Sequence, residues 1–275
     1  MASETNSHRR ARFRRIRIAV LLSGLVVVLL YAWNDVRRRR QRNEWERPLE
    51  VGIVLLKQGS VDPAAAAALE HRFPDLERRL AREMHRYRDT PDVPFHFTVY
   101  GPVDVDRSPP RAESAEWTAL AAQAWESWRY YRDVDSRAAV PSRGFDSRIY
   151  IALHPVVSAS RKMVEGQSEE GGWVGQVNVE LDSSMVDFAL FVATHELFHT
   201  LGATDAYDAL GRAKIPAGLA DPLRSPLYPQ VAAEVMARNV VIAPGVERAP
   251  ETLDELVVGR DTAAQIGWTA TTATP

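Results

Sequence analysis

The spacing of apolar and polar positions divides the chain into segments of different period. Residues 18–33, IAVLLSGLVVVLLYAW, carry no charge over sixteen positions. At 1.5 Å per residue a helix of this length spans about 24 Å, somewhat less than a hydrocarbon core of about 30 Å. Arg14, Arg15 and Arg17 precede the run, Arg37 to Arg40 follow it, and Tyr31 and Trp33 stand at its far end. Snorkelling arginines and interfacial aromatics cover the shortfall. No small-x-small cleavage site follows, so the pattern predicts an uncleaved transmembrane anchor rather than a signal peptide. Arginines are equally frequent on the two sides, so the positive-inside rule does not orient the span. We expect a single-pass membrane protein with its large domain exported, because the short leading tail contains nothing to export.

After the span, residues 34–48 are polar and without periodicity, and read as a juxtamembrane linker. LEVGIVLLKQG (49–59) is a β-type run. Residues 63–88 are helical in pattern, with Pro74 marking a break. PFHFTVYGPVDV (94–105) and SRIYIALHPVV (147–157) read as strands. Between them, residues 113–134 form a second long helix pattern in which Trp117, Leu120, Ala124 and Trp128 recur at helical spacing, an aromatic stripe expected to be core. In GGWVGQVNVELD (171–182), Val177, Val179 and Leu181 alternate with Gln176, Asn178 and Glu180, which predicts a half-exposed strand at a sheet edge. MVDFALFVATHELFHTL (185–201) is apolar on nearly every face, so its helix is buried. Ser184 and Asp187 supply an S-x-x-D start signal, and Gly202 can end the helix in the left-handed conformation. The reading is a basic tail (1–17), an anchor (18–33), a linker (34–48) and one large domain (49–275).

Charge sharpens this division. Residues 1–48 hold twelve of the 34 basic residues and four of the 36 acidic ones, leaving 22 basic and 32 acidic residues in 49–275. An acidic main domain is the opposite of what nucleic-acid binding requires, and no nucleic-acid partner is expected. The chain has no cysteine. Disulfides, cysteine–metal sites and thiol nucleophiles are therefore excluded.

Candidate chemistry is concentrated in THELFHTLGATD, residues 194–205. His195 and His199 are four apart, so their side chains lie one above the other on the helix and can grip one metal ion. Glu196 projects about 100° around from His195, where it can reach a metal-bound water without being a ligand. Zinc with three protein ligands and one open position lowers the pKa of its water to about 7, and Glu196 would take the water's proton. Gly202 permits a sharp turn that brings Asp205 back towards the metal. Asp208, three residues further on, is the competitor. Asp205, Asp208 or Asp221 could instead help to bind calcium, for which the sequence offers no further support.

HELFHTLGATD resembles the extended H-E-x-x-H-x-x-G-x-x-H/D signature of the metzincin metallopeptidases, in the variant with aspartate as third ligand. That family also has a methionine-containing turn beneath the metal; here Met236 follows in AAEVMARNV, 31 residues after Asp205. The resemblance implies an α+β fold with a twisted, mainly parallel mixed sheet packed on helices. It also implies an active-site helix carrying H-E-x-x-H, and a C-terminal subdomain holding the Met-turn and a final helix, for which DTAAQIGW (261–268) is the candidate. It implies one catalytic Zn2+ on His195, His199 and Asp205, Glu196 as general base, and protein or peptide substrates. Substrate would lie along the expected edge strand at Trp173, Val174, Gly175 and Gln176 by strand addition. Some metzincins carry a tyrosine two residues after the methionine; here Arg238 stands there, and Tyr207 or Tyr228 are the available substitutes. The other readings are a metzincin-like zinc domain that binds a partner without catalysis and a zinc hydrolase acting on a non-peptide amide.

Overall fold

Apolar residues on consecutive positions make a strand that must be covered on both faces, and such strands organise the main unit. A computed structural model of the chain describes residues 2–110, 117–157, 164–168 and 172–269. These fall into two compact units, residues 1–42 and 43–275. The first is helix α1 (Ala2–Arg42), and its Arg17–Arg42 portion is long and apolar enough to cross a membrane by length and composition.

In the second unit, β1 (Leu49–Lys57), β2 (Phe95–Asp104), β3 (Ser147–His154), β4 (Val164–Ser168) and β5 (Val174–Glu180) form one sheet in the order β2-β1-β3-β5-β4. All pairings are parallel except that of β4 with β5. The sheet is thus mainly parallel, as expected. Val51, Ile53 and Leu55 of β1 with Ile149, Ile151 and Leu153 of β3 face a core closed by α2 (Pro63–His71), α3 (Phe73–Met84) and α5 (Val186–Thr200). Val54, Leu56, Tyr150 and Ala152 face the other way, onto Tyr130 and Val134 of α4 (Trp117–Arg137). The helix pair α2 and α3 is split where Pro74 enters the first turn of α3.

Three expectations are corrected. The aromatic stripe of α4 is not core: Leu120, Ala124 and Trp128 are exposed, and the face that packs on the sheet carries Tyr130 and Val134 instead. The Trp117 side chain and residues 113–116 lie outside the described residues. Trp125 and Trp128 stack on each other with ring centroids 5.0 Å apart, satisfying part of their apolar surface without entering the core.

The strand at 174–180 is not an edge either. Arg148, Ile149 and Tyr150 pair with Val174, Gly175 and Gln176 on one side, and Ser168 and Gln167 pair with Gly175 and Gln176 on the other. Its polar side is covered, not solvated: Asn178 is buried and Gln176 donates to the Tyr131 hydroxyl of α4. Among the described residues, the edge on that side belongs to β4.

Residues 43–48, expected in a linker, are part of the main unit. Trp45 is 1% exposed and donates from Nε1 to the Ile266 carbonyl at 2.6 Å. Its ring meets Phe95 at 5.3 Å and Trp268 at 5.9 Å, and Phe198 of α5 closes the same cluster. The first and last segments of the unit therefore meet on α5. Chain contact there is close: a Cβ at Gly267, where φ is +79°, would lie 2.3 Å from the Asn43 carbonyl oxygen. Deleting a fully buried indole removes both packing and a buried hydrogen bond. Trp45→Ala is expected to lower stability by about 3–5 kcal/mol, read as a shift in the chemical-denaturation midpoint at unchanged slope.

Candidate metal centre

Helix α5 carries the site through the middle of the core. Ala189, Leu190, Phe191, Val192, Ala193, Leu197 and Phe198 are all buried, so both faces of the helix are packed. Its start differs from the expected one. The residue before the first turn is Met185, with no side-chain cap, and Ser184 donates instead to Asp182. Asp187 is drawn outwards, where Arg72 donates twice to its Oδ1 and once to its Oδ2, and the Leu253 N–H also donates to Oδ2. Its negative charge still lies in the first turn, where the helix dipole favours it.

The other end is as the glycine predicted. Gly202 has φ +95°, its N–H bonds to the His199 carbonyl, and the Ala203 N–H bonds to the Phe198 carbonyl. These two bonds close a Schellman motif. The turn has a chemical consequence: it brings the Ala203 carbonyl back to 2.8 Å from His199 Nδ1. His195 Nδ1 meets the Val235 carbonyl at 3.0 Å. A carbonyl only accepts, so both imidazoles carry their proton on Nδ1 and turn a lone pair inwards at Nε2.

Those lone pairs converge. His195 Nε2 and His199 Nε2 are 3.1 Å apart, and Asp205 Oδ1 lies 3.3 Å from the first and 3.1 Å from the second. Asp205 Oδ1 is buried and otherwise lacks a hydrogen-bond partner. Three acceptor atoms facing one another repel unless a cation sits between them. Metal–ligand bonds of about 2.0–2.1 Å in a tetrahedron put ligand atoms about 3.3–3.4 Å apart, close to the triangle found here. The donor set therefore fits a metal ion. Glu196 also presents an oxygen to this group, with His195, Glu196 and His199 offering atoms within 4.8 Å of one another. Its Oε1 is the more distant, 4.0 Å from His195 Nε2.

Glu196 has its own surroundings. It is 3% exposed, and Ser168 of the edge strand donates to its Oε2 at 2.5 Å. Gly166 makes room for its carboxylate, while Gly175 packs against both Ile149 Cδ1 and the Glu196 Cβ. A Cβ at Gly166 would fall 1.9 Å from Glu196 Oε1, and one at Gly175 would fall 3.2 Å from Glu196 Cβ. Sequence reasoning missed Ser168 and Gly166, because VEGQS is too short and too polar to signal a strand. It had assigned Gly175 to an exposed edge.

Asp208 is engaged elsewhere. Arg212 binds its side chain, and the backbone N–H groups of Leu210 and Arg212 bind it as well, holding its pKa down at about 2. Tyr207, not Tyr228, stacks on His195, with centroids 6.1 Å apart, and Arg238 lies over the Tyr207 ring at 5.9 Å. Arg238 is a non-glycine residue at φ +70°, a backbone state found where the surroundings over-determine the chain. Met236 is fully buried, and its carbonyl accepts the Ala206 N–H at 3.0 Å, directly after Asp205.

No known family model matches the chain, and no curated protein does. Among solved structures, the crystal structure of archaemetzincin from Methanopyrus kandleri is similar, with 14% identity, 58% of this chain and 77% of that one covered, and a TM-score of 0.32. A likeness that distant says nothing of the chemistry here, which stands on its own geometry.

Without a metal, a proton is the remaining way to relieve the triangle. Burial lowers the His199 pKa, but its hydrogen bond to Asp205 and the neighbouring carboxylates outweigh this and raise it. Burial works against the Asp205 carboxylate, yet its bonds to His195 and His199 hold it well below the usual range. The raised histidine stabilises the metal-free fold below about pH 6.5 and loses that contribution as pH rises through its shifted value. The depressed aspartate contributes above about pH 4 and is lost only in stronger acid. A metal competes with that same proton. The zinc-induced rise in melting temperature is therefore expected to be small at pH 5 and to grow through pH 7.5. At neutral pH, Asp205→Ala is expected to lose most bound zinc and Asp208→Ala to keep it, checked by metal analysis of the two variants side by side.

Proposed function

We propose that the chain is a membrane-anchored zinc endopeptidase in which His195, His199 and Asp205 hold one ion and Glu196 is the general base. The observation that carries this reading is the convergence of three acceptor atoms within 3.1–3.3 Å, with Glu196 beside them and not among them. A zinc ion, when bound, supplies Lewis-acid polarisation of the scissile carbonyl and a coordinated water with a pKa of about 7. Glu196 accepts the proton of the attacking water at Oε1 while Ser168 steadies Oε2, and then delivers that proton to the leaving amine. The low exposure of His195 and Glu196 keeps bulk water from competing for these contacts.

The sheet supports one route for the substrate. Trp173, Val174, Gly175 and Gln176 lie within or beside a strand paired on both sides, and the Trp173 carbonyl already accepts the Arg148 N–H. An extended peptide would instead add to β4, the outermost strand, whose Gly166 and Ser168 touch the base. This proximity favours catalysis over a purely partner-binding zinc domain, which has no use for a carboxylate held beside the ligands. Met236 serves structurally, through its backbone bond to Ala206.

Glu196→Gln is expected to keep the fold and stoichiometric zinc while lowering hydrolysis of casein or a peptide library by at least about 100-fold. Full activity at normal metal content would remove the peptidase reading as framed. The anchor is tested separately. The full chain is expected to fractionate with membranes, and protease protection in sealed vesicles to show the main unit on the exported side. Recovery of the intact chain in the soluble fraction would refute the anchor.

A further inference from the structure

Glu234 lies two residues before Met236 and is fully buried. A carboxylate in such a place is costly unless its oxygens are fully bonded. Four dipolar donors meet them. Oε2 accepts from the N–H of Met236 at 2.7 Å and of Ala237 at 3.0 Å. Oε1 accepts from the Thr262 hydroxyl at 2.7 Å and the Gly259 N–H at 3.2 Å. Burial still pushes its pKa up, to about 7, against those bonds.

The two oxygens grip different parts of the chain. One holds the turn that contains Met236; the other holds the start of α6 (Arg260–Gln265). Approach is tight enough that a Cβ at Gly259 would come within 3.0 Å of Glu234 Cγ. The Glu234 carbonyl adds bonds from the N–H groups of Ala237 and Arg238, and the Val235 N–H bonds to the Val257 carbonyl. The peptide units at 235 and 236 are thus held from several directions. They are also the two that reach the metal donors: the Val235 carbonyl orients His195, and the Met236 carbonyl holds Ala206, next to Asp205.

We propose that Glu234 is a positioning residue for the metal centre, acting through the 235–236 backbone to aim His195 and Asp205. This rests on the zinc reading above and adds to it a residue that touches neither metal nor substrate. A turn can be closed by apolar packing alone. A carboxylate bonded at both oxygens fixes the rotation of the peptide planes as well, and that rotation is what a ligand-orienting carbonyl needs.

The test uses the full chain and two carboxylate variants. Glu234→Gln keeps the shape but turns an amide group towards donors that need an acceptor. Asp187→Asn weakens another part-buried carboxylate network, on the first turn of α5 and away from the donors. Zinc affinity is measured by competition with a chelator, and site geometry by the visible spectrum of the cobalt(II)-substituted protein. Glu234→Gln is expected to weaken zinc binding by about 10-fold or more and to change the cobalt spectrum. Asp187→Asn, at a comparable loss of melting temperature, is expected to leave both unchanged. Wild-type affinity and spectrum in Glu234→Gln would overturn the proposal, as would an equal loss of affinity in Asp187→Asn. Should Glu234→Gln not fold, Thr262→Val removes one donor and is expected to show the same spectral change with a smaller loss of affinity; an unchanged spectrum would overturn the proposal. Failure of the wild-type chain to take up zinc would instead overturn the metal reading on which it rests.

Discussion

Three lone pairs aimed at one point beside a buried helix are the constraint to which the rest of the main unit answers. One carbonyl at the Nδ1 of each imidazole denies it the tautomer that would relieve that repulsion internally. Holding such an arrangement requires a scaffold stiffer than the force pushing it apart. The scaffold is a helix packed on all sides, ended by a glycine turn and braced by a carbonyl from a distant segment. The sheet, the aromatic cluster around Trp45 and the turn at Met236 all converge on this helix.

The parts of this arrangement that were legible in the sequence are local ones. Helix α5 shows its apolar residues on every face, and histidines four apart on a helix share a side whatever surrounds them. Gly202 announces the left-handed turn because few other residues adopt it readily. The strands buried on both faces are visible as unbroken apolar runs. Their mainly parallel arrangement followed from the family resemblance and agrees with the pairing found.

What was not legible depends on contacts distant in sequence. Alternation in residues 174–180 signals two unlike faces, but not whether the polar face meets water or the hydroxyl of a tyrosine on α4. The tryptophans of α4 repeat at helical spacing, yet their side of the helix is the one facing away from the sheet. Trp45 sits in a polar, basic stretch that gives no sign of a core position; its partners are residues 50 to more than 200 positions away. The acid at 234 is likewise one charge in an apolar stretch, and only the fold reveals that four donors await it.

Gly166 and Gly175 have a consequence for how this molecule can vary. Glycine weakens a strand, so a sheet judged by its own stability would gain from a β-branched residue at either place. Gly166 instead leaves room for the Glu196 carboxylate, and Gly175 for Ile149 Cδ1 and Glu196 Cβ. A substitution at Gly166 sets the strand's own preference against the position of the Glu196 carboxylate. Selection for thermal hardiness alone would be drawn to Gly166 and would fill the space the Glu196 carboxylate occupies, leaving that carboxylate displaced. Two residues without side chains thus mark where the demands of architecture and of chemistry part company.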